Sequence, residues 1–214
     1  MKSLNITIGL PGSGKTTDAK RWVGDDPLRR TRLNRDDLRV MMFGSRTGLV
    51  EHEDAVTVAQ EAALRALLAG GGSVVVDDTN LRPDVVERLS RIGWDAGANV
   101  GIWDRTNVPV EECIDRDCVR AAMGEPYVGE TAIRQLHAEW RALNFCAGCG
   151  EEIHRGTPPY PGDIEGNGRL CTACTRATGA DLEDLVPCGL CRGKPLFERA
   201  EMNDHRRLAH AGAE

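Results

Sequence analysis

Residues 9–16 read Gly9-Leu10-Pro11-Gly12-Ser13-Gly14-Lys15-Thr16, the G-x-x-x-x-G-K-[ST] pattern of a loop that cradles phosphates. Glycines let the backbone curl until successive N–H groups face an anion, and a helix starting at the loop's end adds its positive pole. In such a loop the lysine, here Lys15, reaches the β- and γ-phosphates, and the following hydroxyl, here Thr16, ligates magnesium. The expected ligands of the stretch from Gly9 through Thr16 and Thr17 are therefore ATP and Mg2+. A second cluster, Asn34-Arg35-Asp36-Asp37-Leu38-Arg39, sets carboxylates beside guanidinium groups. Transfer to a hydroxyl needs a carboxylate to take the proton and cations to hold the acceptor. Read as local structure alone, the same string is a helix start capped by Asn34. Asp77 and Asp78 close an apolar run, which places carboxylates where open α/β sheets bind ligands; one of them is a candidate to hold magnesium through water, and the alternative is a cap on the helix that begins near Pro83. Arg116 and Arg120 are spaced to share one helix face. They either converge on donor phosphates or pair on the surface with Glu111, Glu112 or Asp117.

Six of the eight cysteines form three C-x-x-C pairs. With no apolar leader segment at the start, metal ligation is expected rather than disulfides. The pair Cys146/Cys149 is separated by 21 residues from the pair Cys171/Cys174, near the spacing of zinc-ribbon and treble-clef sites. Cys188, Cys191, His205 and His210 follow a Cys2His2 finger layout, with Phe197 and Met202 at the usual core positions. A competing arrangement puts Cys171, Cys174, Cys188 and Cys191 around one ion, and spacing leaves the pairing open. Cys113 and Cys118 read as ordinary core or surface residues. His52 and His137 read as structural or solvated, and His154 as a reserve ligand.

The elements that must position these groups alternate apolar runs with helical patterns over residues 1–144, the form of a parallel sheet flanked by helices. Strands are expected at Lys2 to Ile8, Ser73 to Val76 and Asn99 to Trp103, and helices at Ala55 to Leu68, from Pro83 through Arg91, Glu111 to Met123 and Glu130 to Leu143. After Phe145 glycine and proline become dense and periodicity stops. The boundary is therefore expected there, with a catalytic domain at 1–144 and a zinc-binding module at 145–214. That module has few apolar residues, so the metal is expected to supply most of its folding free energy. The formal net charge of −6 over 214 residues argues against a broadly basic nucleic-acid coat, so a polyanion must bind a local patch. No run approaches 18 apolar residues, and a soluble, cytoplasmic protein without membrane contact is expected.

Taken together, G-L-P-G-S-G-K-T-T, N-R-D-D-L-R, V-V-V-D-D-T-N-L-R-P and R-D-C-V-R resemble, in order and spacing over residues 1–143, the kinase domain of bacteriophage polynucleotide kinase. The resemblance implies a P-loop NTPase fold and transfer of the γ-phosphate of ATP to the 5′-hydroxyl of a nucleic-acid end. It implies that Asp36 is the general base, that Arg39 contacts the acceptor's 3′-phosphate, and that Asp78, Thr79 and Asn80 line the acceptor floor. It also implies that Arg116 and Arg120 close over the donor phosphates, and that the setting is the host cytoplasm if the chain is phage-encoded. Two features depart from the family pattern. No D-x-D-x-T phosphatase motif is found, so trimming of 3′-phosphates is not expected, and a pair of acids, Asp77 and Asp78, stands where a single one belongs. The rival readings are a P-loop kinase of a small hydroxyl-bearing molecule and a nucleotide-switched zinc adaptor. Asp36 and Arg39 speak against the adaptor. The expected finger helix, 198–210, mixes Glu198, Glu201 and Asp204 with Arg199, Arg206 and Arg207, so protein docking and a structural role are both open for the tail.

Overall fold

A computed structural model describes residues 1–46, 50–145, 185–187 and 196–198. The chain divides into two units, Met1–Arg134 and Gln135–Glu214.

The first unit is built on four parallel strands, β1 (Ser3–Ile8), β2 (Arg30–Leu33), β3 (Ser73–Val76) and β4 (Asn99–Asp104), in the order β2-β3-β1-β4. Leu4 aligns with Val74 on one side and Val100 on the other, and Leu33 aligns with Val76. Helices intervene: α1 (Lys15–Asp25), α2 (Arg35–Phe43), α3 (Glu53–Ala69, after a short 3-10 turn at Val50–His52), α4 (Pro83–Asp95) and α5 (Val110–Ala122). A further helix, α6, spans Glu130–Asn144. The central strands are apolar on both faces because helices cover both. Leu4, Ile6, Val74 and Val76 pack with Leu64 and Leu68 of α3 and Leu89 and Ile92 of α4, each buried side chain contributing about 1.5–3 kcal/mol.

Three strands and the later helices stand where the sequence places them, with α4 running on to Asp95. The strand β2 was not expected: its residues Arg-Thr-Arg-Leu are only half buried at the sheet edge, so they lack the apolar run that marks β1 and β3. In the second unit, β5 (Leu185–Pro187) pairs antiparallel with β6 (Leu196–Glu198). No helix among the described residues is long and apolar enough to cross a membrane.

Candidate functional site

All four strands point their carboxyl ends at one edge, and each of the sequence clusters follows one of those ends. The phosphate loop follows β1. Gly12 and Gly14 have φ of 85° and 94°, values that side-chain-bearing residues seldom adopt. Around Gly14 the space is open, whereas a Cβ at Gly12 would run into the Cys113 carbonyl of α5. Gly12 is thus required twice, for its dihedral and for the approach of α5. Gly14 caps α1 without any side-chain hydrogen bond, so the first-turn N–H groups, which have no partner inside a helix, face the loop. Lys15 is buried, and its Nζ donates to the Leu10 carbonyl at 2.7 Å and lies 3.3 Å from Ser13 Oγ. Burial pulls the Lys15 amine down to about 8, against the opposing pull of Asp77, Cys113 and Asp78. A group of donors around a desolvated cation fits a triphosphate.

The two acids after β3 diverge where the chain bends away from the strand. Asp77, only 1% exposed, turns toward the loop and accepts from Thr16 Oγ1 at 3.2 Å. This pair of hard oxygen donors beside the phosphate loop fits Mg2+, which takes one or two protein ligands together with phosphates and water. Asp78 turns toward α2. It accepts from the Arg35 N–H at 2.8 Å, from Gln60 Nε2 at 2.6 Å and from Asn34 Nδ2 at 3.3 Å. Burial raises the Asp78 carboxyl to about 6 even though those donors favour its charged form. Neither acid caps α4, whose N-cap Arg82 makes no side-chain cap bond.

Asn34 caps α2 as the local reading predicted, accepting from the Asp37 N–H at 3.1 Å, and it also donates to the Asp77 carbonyl. Asp36 is half exposed and accepts from Arg39 Nη1 at 2.6 Å. Arg39 is held in turn by Glu53, which it grips with Nε at 2.7 Å and Nη2 at 2.8 Å. Arg35 Nη2 reaches the same carboxylate at 2.7 Å. Hydrogen bonding to Arg39 and Arg35 lowers the Glu53 carboxyl to about 2. Three of the five guanidinium N–H groups of Arg39 are thereby used, which leaves two for an incoming anion. Thr79 accepts at its carbonyl from the Gly9 N–H at 3.0 Å. Asn80, at φ 42°, donates to the Thr7 carbonyl at 2.9 Å. Thr79 and Asn80 therefore lock the turn after β3 to β1.

Arg116 reaches from α5 to the Gly12 carbonyl at 3.1 Å while pairing with Glu112. Arg120 pairs with the buried Asp117 at 2.6 Å and lies close enough to Lys15 to depress that amine further. The pairing with Glu112 and Asp117 is the surface alternative, and Arg116 also meets the Gly12 carbonyl of the loop. Cys113 is buried and Cys118 exposed.

Three contributors went unrecognised in the sequence. Arg32 of β2 donates through Nε to Asp77 at 2.5 Å and through Nη1 to Asp37, so it bridges the phosphate-loop side to α2. Asp37 is therefore tied into the site rather than turned away from it. Glu53 and Gln60 complete the network through Arg35 and Asp78. No motif marks them; a charged residue in the middle of a short strand, as at Arg32, is the one signal available. Among the described residues no group of three or more His, Cys, Asp or Glu is arranged to hold a metal ion. The zinc candidates Cys146, Cys149, Cys171, Cys174, Cys188, Cys191, His205 and His210 lie outside the described residues.

A family model described as an AAA domain matches residues 4–143. A protein of Autographa californica nuclear polyhedrosis virus, named as a bifunctional polynucleotide kinase/RNA ligase, is 31% identical over 159 residues, which is 67% of this chain and 22% of the viral protein. Among solved structures, a chain of the Pnkp1/Rnl/Hen1 RNA repair complex superposes with a TM-score of 0.57 at 28% identity, covering 64% of this chain and 43% of that one. A second structure of the Pnkp1/Rnl/Hen1 complex gives a TM-score of 0.49 at 31% identity over 54% of this chain and 38% of that one. The chain thus spans less than half the length of each of these relatives.

Proposed function

The chain belongs to the AAA-domain family matched over residues 4–143, and from that premise we propose that it is an ATP-dependent polynucleotide 5′-hydroxyl kinase. The observation that carries the reading is the divergence of Asp77 and Asp78. Consecutive carboxylates tie the phosphate loop, through Thr16, and the start of the N-R-D-D helix, through Arg35 N–H, to one strand end. Donor and acceptor machinery are thereby set side by side. The names of the viral relative and of the repair complex support the choice of a nucleic-acid end as acceptor.

In this reading the loop amides from Gly12 to Thr16 and the Lys15 ammonium hold the β- and γ-phosphates of ATP, and Thr16 and Asp77 hold magnesium. Magnesium held there would neutralise developing negative charge on the donor phosphates. Arg39 engages the acceptor's 3′-phosphate, and Thr79 and Asn80 support the floor beside Asp78. Asp36 takes the proton of the 5′-hydroxyl as its oxygen forms the bond to the γ-phosphorus; the bond from that phosphorus to the bridging oxygen breaks, and ADP leaves. Arg116 and Arg120 stabilise the charge spread over the transferring group, where positioning and positive charge do most of the work.

Residues 145–214 form, in the same proposal, a zinc-binding module separate from the kinase domain at 1–144, with two zinc ions and a role in substrate handling or protein docking. A cytoplasmic setting follows from an intracellular nucleotide donor.

Transfer of labelled phosphate from ATP to 5′-hydroxyl oligonucleotides, set against small hydroxyl compounds, tests the reading. Asp36→Asn keeps the shape and removes the base, so kcat should drop by about 10²- to 10⁴-fold while ATP binding by calorimetry is unchanged. Labelling of small compounds alone, or full activity in Asp36→Asn, would refute it.

A further inference from the structure

The helix α2 leaves none of its residues buried, although its second half is apolar. Met41 is 73% exposed, Phe43 is 37% exposed and Val50, just beyond, is 87% exposed. Met42 and Val40 are open as well. A row of large apolar side chains left in water on one short helix marks a binding surface.

Two features define what the surface fits. The Phe43 ring lies flat on His52, with centroids 3.9 Å apart and planes 9° apart. This makes a two-ring stack, with Phe43 still 37% exposed, that a further flat ring can extend. Such platforms accept nucleobases because every base has an aromatic face. The second feature is continuity with the acceptor cluster. Asp36, Arg39 and Phe43 are spaced to share one face of α2. Phe43 stands four positions after Arg39, a rise of about 6 Å, which is under two base steps of about 3.4 Å.

Resting on the kinase reading above, we propose that Phe43 and His52 form a stacking platform for the bases that follow the 5′-terminal nucleotide of a single-stranded acceptor. The site then prefers a strand to a mononucleotide. The nearby cations Arg35, Arg39 and Arg46 are already paired with Glu53, Asp36 and Asp37. Stacking rather than phosphate charge therefore carries the extra affinity, and the preference for a strand depends only weakly on salt.

The test compares two acceptors, a nucleoside 3′-monophosphate and a 5′-hydroxyl single-stranded decamer. Phe43→Leu keeps the apolar volume and removes the ring. It should raise KM for the decamer roughly tenfold, within the range of one lost base stack, and leave kcat and KM for the monophosphate unchanged. Phe43→Trp should restore the decamer KM. Equal changes for both acceptors, or none for either, would overturn the platform. Should the unaltered chain phosphorylate neither acceptor, the kinase reading fails, and the platform stands or falls on fluorescence anisotropy of the labelled decamer. Weaker binding in Phe43→Leu would then support it, and equal binding would overturn it. Sedimentation of the unaltered chain as a dimer that Phe43→Leu dissolves would also overturn it, a second copy being the occupant.

Discussion

Asp78→Asn separates the charge of Asp78 from its geometry. The amide can still accept the Arg35 N–H, now 2.8 Å from the carboxylate, and Gln60 can turn its amide over to keep a hydrogen bond. What disappears is a half-buried negative charge. The Asp78 carboxyl is raised from 3.8 to about 6 by burial, so between those pH values the folded chain binds a proton that the unfolded chain has released. Stability therefore falls as pH rises through that window. A displacement of about 2 pK units corresponds to about 3 kcal/mol, an upper figure because part of Asp78 remains open to solvent. Relative to Asp78→Asn, the unaltered chain should lose up to that amount of unfolding free energy between pH 4 and pH 7, measured by urea denaturation at closely spaced pH. Phosphoryl transfer should survive within about tenfold, since α2 keeps its anchor, whereas Asp78→Ala, which leaves the Arg35 N–H without its partner, should lose far more because a misplacement of about 1 Å can cost 10²-fold. A stability difference between the unaltered chain and Asp78→Asn that does not change with pH would refute the reasoning.

Three further outcomes are expected. Because burial holds the Lys15 amine at about 8, ATP binding near pH 8.5 should take up protons as phosphates draw the ammonium form back. Calorimetry in buffers of different ionisation enthalpy reads this directly, and a buffer-independent enthalpy would contradict it. Gly12→Ala drives a methyl group into the Cys113 carbonyl, whereas Gly14→Ala meets open space. Thermal unfolding should show the first variant less stable than the second, the second losing only the roughly 1–2 kcal/mol of a left-handed alanine. Elemental analysis of protein made with ample metal should find two zinc ions per chain, and fewer than about one would defeat the zinc assignment whatever the ligand pairing.

The parts of this site that could be read from the sequence are those whose geometry is local. A phosphate loop is eight consecutive residues followed by a helix, so spacing along the chain is spacing in space; the same holds for Arg116 and Arg120 on successive turns and for the Asn34 cap. Long-range partners carry no such signature. Glu53 reaches Arg39 and Arg35 only because α3 packs against α2, and Arg32 meets Asp77 only because the unrecognised edge strand β2 lies beside β3. The pair Asp77-Asp78 shows the boundary between the two cases. Its position after an apolar run marks it as part of a ligand edge, yet nothing in two identical letters says which carboxylate turns to Thr16 and which to Arg35. The backbone bend just after β3 and the partners on either side decide that. The second acid, which departs from the single-acid pattern, then acquires a physical role: one carboxylate is held at the phosphate loop while its neighbour fixes the helix that carries Asp36. Arg32 reinforces this from the other side by spanning Asp77 and Asp37. Neutralising Asp37 would therefore loosen Arg32 from α2 and disturb the Asp77 side of the site as well, which makes Asp37 a coupled position and not an inert neighbour of Asp36.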